Sequence, residues 1–474
     1  MIKKRIQKLI NRFDKYKIDG YVIPKNDEFF SEYSINDRLK TISNFTGSAG
    51  YSVILKDKYY LFVDGRYTIQ ADKESGKIFK IISYDKIVNC NLFKNLTLGV
   101  DPKILTSQQI KRYFSKHNKI KIIKENLIDQ VYKKKTVFHK PFFSIDDDIV
   151  GESYKEKLLK IKKYLNKNNS DFIFITAPEN VAWLLNIRGF DNPNSPIPNC
   201  NLLIDKKNNL YLICEKKKAK KITIEKKISK KHVIEFGNFE KLIKDLKGNK
   251  MIIDNKTCSL FFENILKKKF KILKKEDPIY FLKSIKSNEE IKNMISSHII
   301  DGAALTKFLY WIKIKNKKKI TEYEAQKKLE YFRKKNKKYL YPSFNTIAGT
   351  GSNGAIVHYR ATKNNSKYIK KSDIFLCDSG GQYKYGTTDV TRTICFSKPK
   401  KRIKNIFTRV LKGHIAVFQS DLTKYKTGKD IDIRARKFLK KINLDYAHGT
   451  GHGVGFFLNV HEGPQSISKF NKIN

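Results

Sequence analysis

Ile374-Phe-Leu-Cys-Asp378-Ser-Gly-Gly-Gln-Tyr-Lys-Tyr-Gly386-Thr-Thr-Asp389-Val-Thr-Arg-Thr-Ile-Cys-Phe396 sets two apolar, strand-like runs on either side of a glycine-rich middle. That is the pattern of a β-hairpin. The midpoint of Asp378 and Asp389 falls between Tyr383 and Lys384, so the spacing predicts two aspartates opposite each other on one face, with side chains about 5 Å apart. Carboxylates that close repel, and one keeps its proton unless a cation lies between them. The apolar run leading directly into Asp378 argues against a solvated loop, so the hairpin is expected to hold a metal.

Some sixty residues on, Tyr446-Ala-His448-Gly-Thr-Gly-His452-Gly-Val-Gly-Phe-Phe-Leu-Asn-Val-His461-Glu-Gly-Pro464 places three histidines among glycines. Glycines at 449, 451, 453 and 455 remove side chains and let backbone approach a ligand. Spacing alone does not allow His448, His452 and His461 all to ligate one ion. His358, in Gly351-Ser-Asn-Gly-Ala-Ile-Val-His358-Tyr-Arg360, has the same style, and is expected to be an exposed histidine after a short apolar strand. Two carboxylates plus imidazole from separate elements are the ingredients of a metallohydrolase.

The rest of the chain supports a soluble enzyme of several domains. Its 474 residues are 40% hydrophobic, enough for two or three cores. The net charge of +52 is spread along the whole chain and forms no stripe, so it reads as compositional, with no specific nucleic-acid partner. The lysine run from Lys216 to Lys221 reads as a solvated helix face. Cys90, Cys200, Cys214, Cys258, Cys377 and Cys395 show no CxxC spacing, which points to neither a zinc ribbon nor a disulfide framework. A reducing, cytoplasmic location is expected. The first thirteen residues predict an amphipathic helix, and no apolar run reaches membrane-spanning length.

The first 290 residues read as one unit written twice, at an offset of about 150 positions: Asp19-Gly-Tyr-Val-Ile-Pro against Asp171-Phe-Ile-Phe-Ile-Thr, Ser52 to Asp64 against Asn201 to Ile213, and Leu98-Gly-Val-Asp against Met251-Ile-Ile-Asp. Each would run helix, buried strand, hairpin, then helices alternating with strands. The expected fold is α/β (α+β): domains at 1–139 and 150–284, joined by a linker at 140–149, and a third domain at 285–474. Ser287-Asn-Glu-Glu290 has the form of a capping box opening a helix to about 312 that carries Ile291, Met294, Ile295 and His298 on one face; a second helix is expected near 321–336.

At Gly354-Ala-Ile-Val-His358-Tyr, Asp378-Ser-Gly-Gly-Gln-Tyr, Gly386-Thr-Thr-Asp389-Val-Thr-Arg-Thr393 and His448-Gly-Thr-Gly-His452-Gly-Val-Gly the chain resembles the three-domain Xaa-Pro aminopeptidases of the pita-bread metallopeptidases. The resemblance extends to Glu179-Asn-Val-Ala-Trp-Leu-Leu-Asn-Ile-Arg-Gly189 and to Phe45-Thr-Gly-Ser-Ala-Gly50 with Val63-Asp-Gly-Arg66-Tyr67. It implies two creatinase-type amino-terminal domains and a pita-bread catalytic domain. It also implies that Asp378, Asp389 and His452 ligate two divalent ions, Asp389 shared, with manganese expected and zinc or cobalt as alternatives. His358 and His461 would hold the substrate and stabilise the tetrahedral intermediate, His448 would support them, and Arg66 would contact the substrate. The substrate is a peptide with proline second, and a cytoplasmic homodimer is expected. Xaa-Pro dipeptidases and non-catalytic pita-bread binding modules are the alternatives. The family supplies two more glutamate ligands from strands after the His-Glu-Gly-Pro segment; Glu462 is the only carboxylate side chain after His452. The chain is therefore expected to be an inactive fragment whose catalytic domain lacks its C-terminal part.

Overall fold

The computed structural model describes residues 2–88, 92–132, 140–315 and 319–473; Cys90 and the boundary at 139 lie outside them. The chain divides into two compact units, Met1–Ile279 and Tyr280–Asn474.

The first unit is built on two six-stranded sheets. One places its strands in the order Lys80–Ser83, Tyr59–Val63, Tyr51–Leu55, Gly20–Pro24, Thr97–Val100, Lys119–Ile122. The other runs Val233–Ile234, Leu210–Ile213, Asn201–Asp205, Phe172–Ile175, Lys250–Ile253, Lys271–Lys274. Counted along the chain both read 4-3-2-1-5-6, with strands 1, 2 and 3 antiparallel and the 3/4, 1/5 and 5/6 pairs parallel. The repeat read from the apolar runs is thus a duplicated fold. Side chains alternate across the first sheet as a pleat requires: Tyr21, Ile23, Ile54 and Leu61 enter one buried cluster, with Ile6 and Leu9 of the opening helix and Phe13 of the short helix after it, while Val22, Val53 and Phe62 enter the other. Both faces being covered, the strands carry no polar alternation. Phe142 is buried, and its amide donates to Lys218 O, so residues expected to link the domains pack against the second sheet's helix. Lys218 corrects the reading of its lysine run: it is 5% exposed and pairs with buried Asp191 at 2.9 Å.

The second unit opens with the helix Asn288–Lys315, whose capping box is present: Ser287 Oγ accepts from Glu290 N at 3.1 Å, and the Glu290 carboxylate accepts from Ser287 N. Ile291 and Ile295 remain exposed beside an open groove shared with Met294 and His298, and the helix buries Asp301, Leu305, Phe308 and Ile312 instead. The helix Glu322–Lys334 follows, capped by Thr321. A three-stranded sheet places Ile374–Ser379 between Ile347–Thr350 and Val390–Cys395, and the hairpin Gly381–Tyr383/Gly386–Thr387 pairs with Tyr339–Pro342. The helices Lys401–Phe418 and Gly428–Lys440 pack on each other, with Phe407, Val410, Leu411 and Phe418 of the first open to water. The strands Gly451–Gly453 and Glu462–Ile467 end the unit.

A buried charge network ties the two long helices to the sheet. Arg333 Nε donates to Asp301 Oδ1 at 2.6 Å and Nη2 donates to Ser379 Oγ at 3.0 Å; Tyr383 Oη donates to the same Asp301 oxygen at 2.7 Å. Removing one partner strands the other charge away from water. Asp301→Ala is therefore expected to cost the second unit about 3–5 kcal/mol. Urea unfolding followed through Trp311, in a Trp183→Phe background, checks this; a midpoint unchanged from the parent would contradict it.

Candidate metal centre

The hairpin register places the aspartates differently from the sequence expectation. Asp378 pairs with Thr391 and Ser379 with Val390, while Tyr383 pairs with Gly386. The turn is centred between Lys384 and Tyr385, one residue later than the midpoint of the two aspartates, so Asp389 lies diagonally from Asp378 on the same face. Packing explains the offset. A Cβ on Gly386 would stand 2.3 Å from Ser297 Oγ, and one on Gly380 would stand 1.9 Å from Thr388 O, so Gly386 lets the hairpin seat against the long helix and Gly380 lets its two arms close on each other.

Charge at this pair is not balanced by a neighbouring cation. Asp378 accepts a hydrogen bond from Thr391 Oγ1 at 2.7 Å. Burial, then the neighbouring charge of Asp389, pushes its carboxyl up to about 6. Asp389 Oδ2 stands 3.4 Å from His452 Nε2. His452 Nδ1 lies 2.8 Å from Gly453 O, and a carbonyl only accepts, so Nδ1 carries the hydrogen and a neutral ring turns the Nε2 lone pair toward the carboxylate. Two acceptors facing at this distance need a proton or a cation between them. The separation suits neighbouring ligands of one ion held at about 2.1 Å. The donor chemistry, two carboxylates and an imidazole, fits a hard-to-intermediate divalent ion. Among the described residues no three His, Cys, Asp or Glu side chains stand together so that they could hold a metal ion.

The remaining sequence candidates divide. His461 is brought in, its ring 4.3 Å from that of His452, and it acts electrostatically on Asp378. His448 is exposed and lies 4.8 Å from the Tyr446 ring, its Nδ1 bonded to Gly449 O at 2.7 Å. His358 corrects its expectation: the strand Ile347–Thr350 is followed by a 3-10 turn, Gly351–Ala355, and no strand lies between that turn and His358, because the chain folds back so closely that a Cβ on Gly349 would meet Gly354 N at 2.8 Å. His358 is half-buried there. Arg66 sits in the first unit, gripping Asp64 through Nε and Nη2 at 3.0 and 2.7 Å and lying over Tyr67.

Several residues that hold the site were not singled out from sequence. Gln382, fully buried, donates to Leu458 O at 2.8 Å and accepts from Thr387 Oγ1 at 2.8 Å, bolting the aspartate hairpin to the loop between His452 and His461. Arg436 donates to Tyr446 O, His448 O and Asp432, and Thr450 donates to Asp432 Oδ1, which fixes the turn before His452. Glu462, which the sequence did single out, is buried and paired with Lys283 and Lys286, which leaves it committed to a structural charge cluster. Only Gln382 carried a signal, as the polar residue of a glycine-flanked apolar strand.

Three comparisons with known proteins agree. Residues 292–474 match the model of metallopeptidase family M24, and residues 5–130 and 133–290 each match a model of the creatinase/prolidase N-terminal domain. A probable Xaa-Pro aminopeptidase P of Laccaria bicolor is 35% identical over 98% of this chain and 76% of its own length. Xaa-Pro aminopeptidase 1 of Dictyostelium discoideum is 34% identical over 98% and 79%. The crystal structure of the X-prolyl aminopeptidase of Caenorhabditis elegans, described as a cytosolic enzyme with a di-nuclear active site, superposes with a TM-score of 0.89 at 27% identity, covering 99% of this chain and 82% of that one.

Metal affinity is expected to follow the Asp378 proton. A carboxyl at about 6 is mostly ionised at pH 7.5 and mostly protonated at pH 5, and a ligand must lose its proton to bind. Affinity for Mn2+ should be highest above pH 6 and fall about tenfold per unit below it. Titration calorimetry in buffers of different ionisation enthalpy measures both the affinity and the proton released; affinity constant from pH 8 to pH 5 would contradict the assignment.

Proposed function

This chain belongs to the Xaa-Pro aminopeptidases of metallopeptidase family M24, and we propose, in place of the inactive fragment expected from sequence, that it releases the first residue from peptides whose second residue is proline, using two divalent ions, manganese foremost. Asp378, Asp389 and His452 are the residues that would hold the ions, with Asp389 shared between them. When bound, the ions supply an acidified water and a Lewis acid for the carbonyl before proline.

The chain's own side chains carry the remaining work. His358 and His461 hold the substrate and donate N–H hydrogen bonds to the oxygen of the scissile carbonyl as it gains charge, the moment at which a fixed donor contributes most. His448 supports them from the turn that Arg436 fixes. Arg66 contacts the peptide through its guanidinium. The half-buried setting of His358 and the His452–His461 ring contact favour fixed orientations over mobile surface imidazoles.

One observation carries this reading: a carboxylate and an imidazole nitrogen facing at 3.4 Å beside a second carboxyl pushed up to about 6, an arrangement that calls for cations. The aminopeptidase reading is preferred to the dipeptidase reading because both duplicated amino-terminal sheets are present and the nematode aminopeptidase matches over 99% of the chain. We place the protein in the cytoplasm as a homodimer with no specific nucleic-acid or membrane partner. In support, the nematode relative is described as cytosolic, the cysteines among the described residues are free thiols, and no described helix is long and apolar enough to cross a membrane.

The test is release of the first residue from a peptide with proline second, against the same peptide with alanine there, before chelation, after it, and after Mn2+ is restored. Cleavage of the proline peptide alone, lost and regained with the metal, is expected. Asp389→Ala should lower kcat by about a thousandfold or more, since a shared ligand positions both ions. Near-full activity in that variant, or equal cleavage of the alanine peptide, would overturn the proposal.

A further inference from the structure

Glu322 is a buried carboxylate with no part in the site described so far. It is 0% exposed and lies in the first turn of the helix Glu322–Lys334. Oε1 accepts from Thr350 N at 2.7 Å and from Asn353 Nδ2 at 3.0 Å. Oε2 accepts from Tyr359 Oη at 2.7 Å, from Lys367 N at 2.8 Å and from Asn353 Nδ2 at 3.1 Å. All four donor groups are neutral. A carboxylate taken out of water loses its hydration and must find other partners. Here the cost is offset by hydrogen bonds and by the unpaired amides of the helix start. So many donors on one anion are more than a helix cap requires, since Thr321 already caps this helix.

The donors have a common geography. Thr350 ends the strand that pairs with the Asp378 strand, with Ile347 opposite Asp378. Asn353 sits in the 3-10 turn that follows, and Tyr359 is the residue after His358. Between them Ile356 N donates to Asn353 O at 3.1 Å and Tyr359 N donates to Ile356 O at 3.0 Å. The stretch from 350 to 359 is therefore a compact double turn gripped at its start, its middle and its end by one carboxylate. His358 is the last residue before the final grip. Its backbone is thus held on both sides by residues that Glu322 grips.

We propose that Glu322 is the positioning residue for His358: it sets the imidazole's place relative to the metal-ligand strand, and it does so through Tyr359 and Asn353 without touching substrate or metal. This rests on the role given to His358 above. The device suits a donor that must meet an oxyanion, because a charge-assisted cluster holds position more tightly than neutral hydrogen bonds do.

Glu322→Gln keeps the shape and exchanges one acceptor oxygen for an NH2 group that faces donors. It is expected to lower kcat about 10- to 100-fold, in the range of outer-shell losses, with Mn2+ affinity unchanged. Tyr359→Phe, which removes a single O–H and leaves the carboxylate in place, should give a smaller loss in the same direction. In a His358→Ala background, Glu322→Gln should cause no further loss in kcat, because the two act as one unit. A second readout does not need activity. The His358 Cε1–H resonance, assigned by its absence in His358→Gln, should move or broaden in both Glu322→Gln and Tyr359→Phe while the His448 resonance stays in place. Additive kcat losses, or a His358 resonance unmoved in both variants, overturns the proposal. A protein that cleaves no Xaa-Pro peptide but shows the resonance change overturns the peptidase reading and leaves the positioning of His358 standing.

Discussion

The buried pair of Arg333 and Asp301 is the constraint on which the second unit's geometry depends. Asp301 comes from the long opening helix, Arg333 from the next, and between them they take up Ser379 and Tyr383. Those two residues lie on either side of the point where the chain leaves the three-stranded sheet and enters the tight hairpin. Fixing both sets where that hairpin turns, and the turn sets which residue faces Asp378. Charge buried in this way adds little net stability, but it penalises any alternative in which one partner is missing. A shift of one residue in register would move every side chain of the strand to the opposite face, so the network that forbids it also keeps Asp378 and Asp389 on one side.

Much of this was legible before any coordinates. The duplicated amino-terminal fold showed as paired apolar runs because strands covered on both faces must be apolar throughout, and that demand leaves a trace at each repeat of the unit. The capping box at Ser287 and Glu290 was legible because its chemistry is local to four residues. The aspartate pair was legible as a pair, but its turn centre was misplaced by one residue and its register therefore by two. Its midpoint could be counted, but the turn centre depends on what Gly386 packs against, and Ser297 is nearly ninety positions away in the chain. His358 failed for a related reason: its apolar neighbours suggest a strand, whereas a distant carboxylate and the close approach of Gly349 to Gly354 curl the segment into turns. Residues that act at long range through buried hydrogen bonds, Gln382, Arg436 and Glu322 among them, look in sequence like any polar residue of their element.

A single logic links the supports around the metal centre. The hairpin, the histidine turn and the His358 turn are each irregular, and irregular backbone must find partners for its amides and carbonyls when buried. Each finds them in one fully or nearly buried polar side chain: Gln382 for the loop at Leu458, Arg436 for the turn at His448, Glu322 for the turn at His358. The histidines and aspartates proposed for the site are thereby carried on short segments with little freedom, and the charge of Asp389 still bears on buried Asp378.

Manganese-edge anomalous diffraction from crystals grown with Mn2+ tests the central claim most directly. The account predicts peaks within coordination distance of Asp378, Asp389 and His452, with Asp389 bonded to more than one where two ions are present. Anomalous density located elsewhere, or none near these side chains at saturating Mn2+, would contradict it.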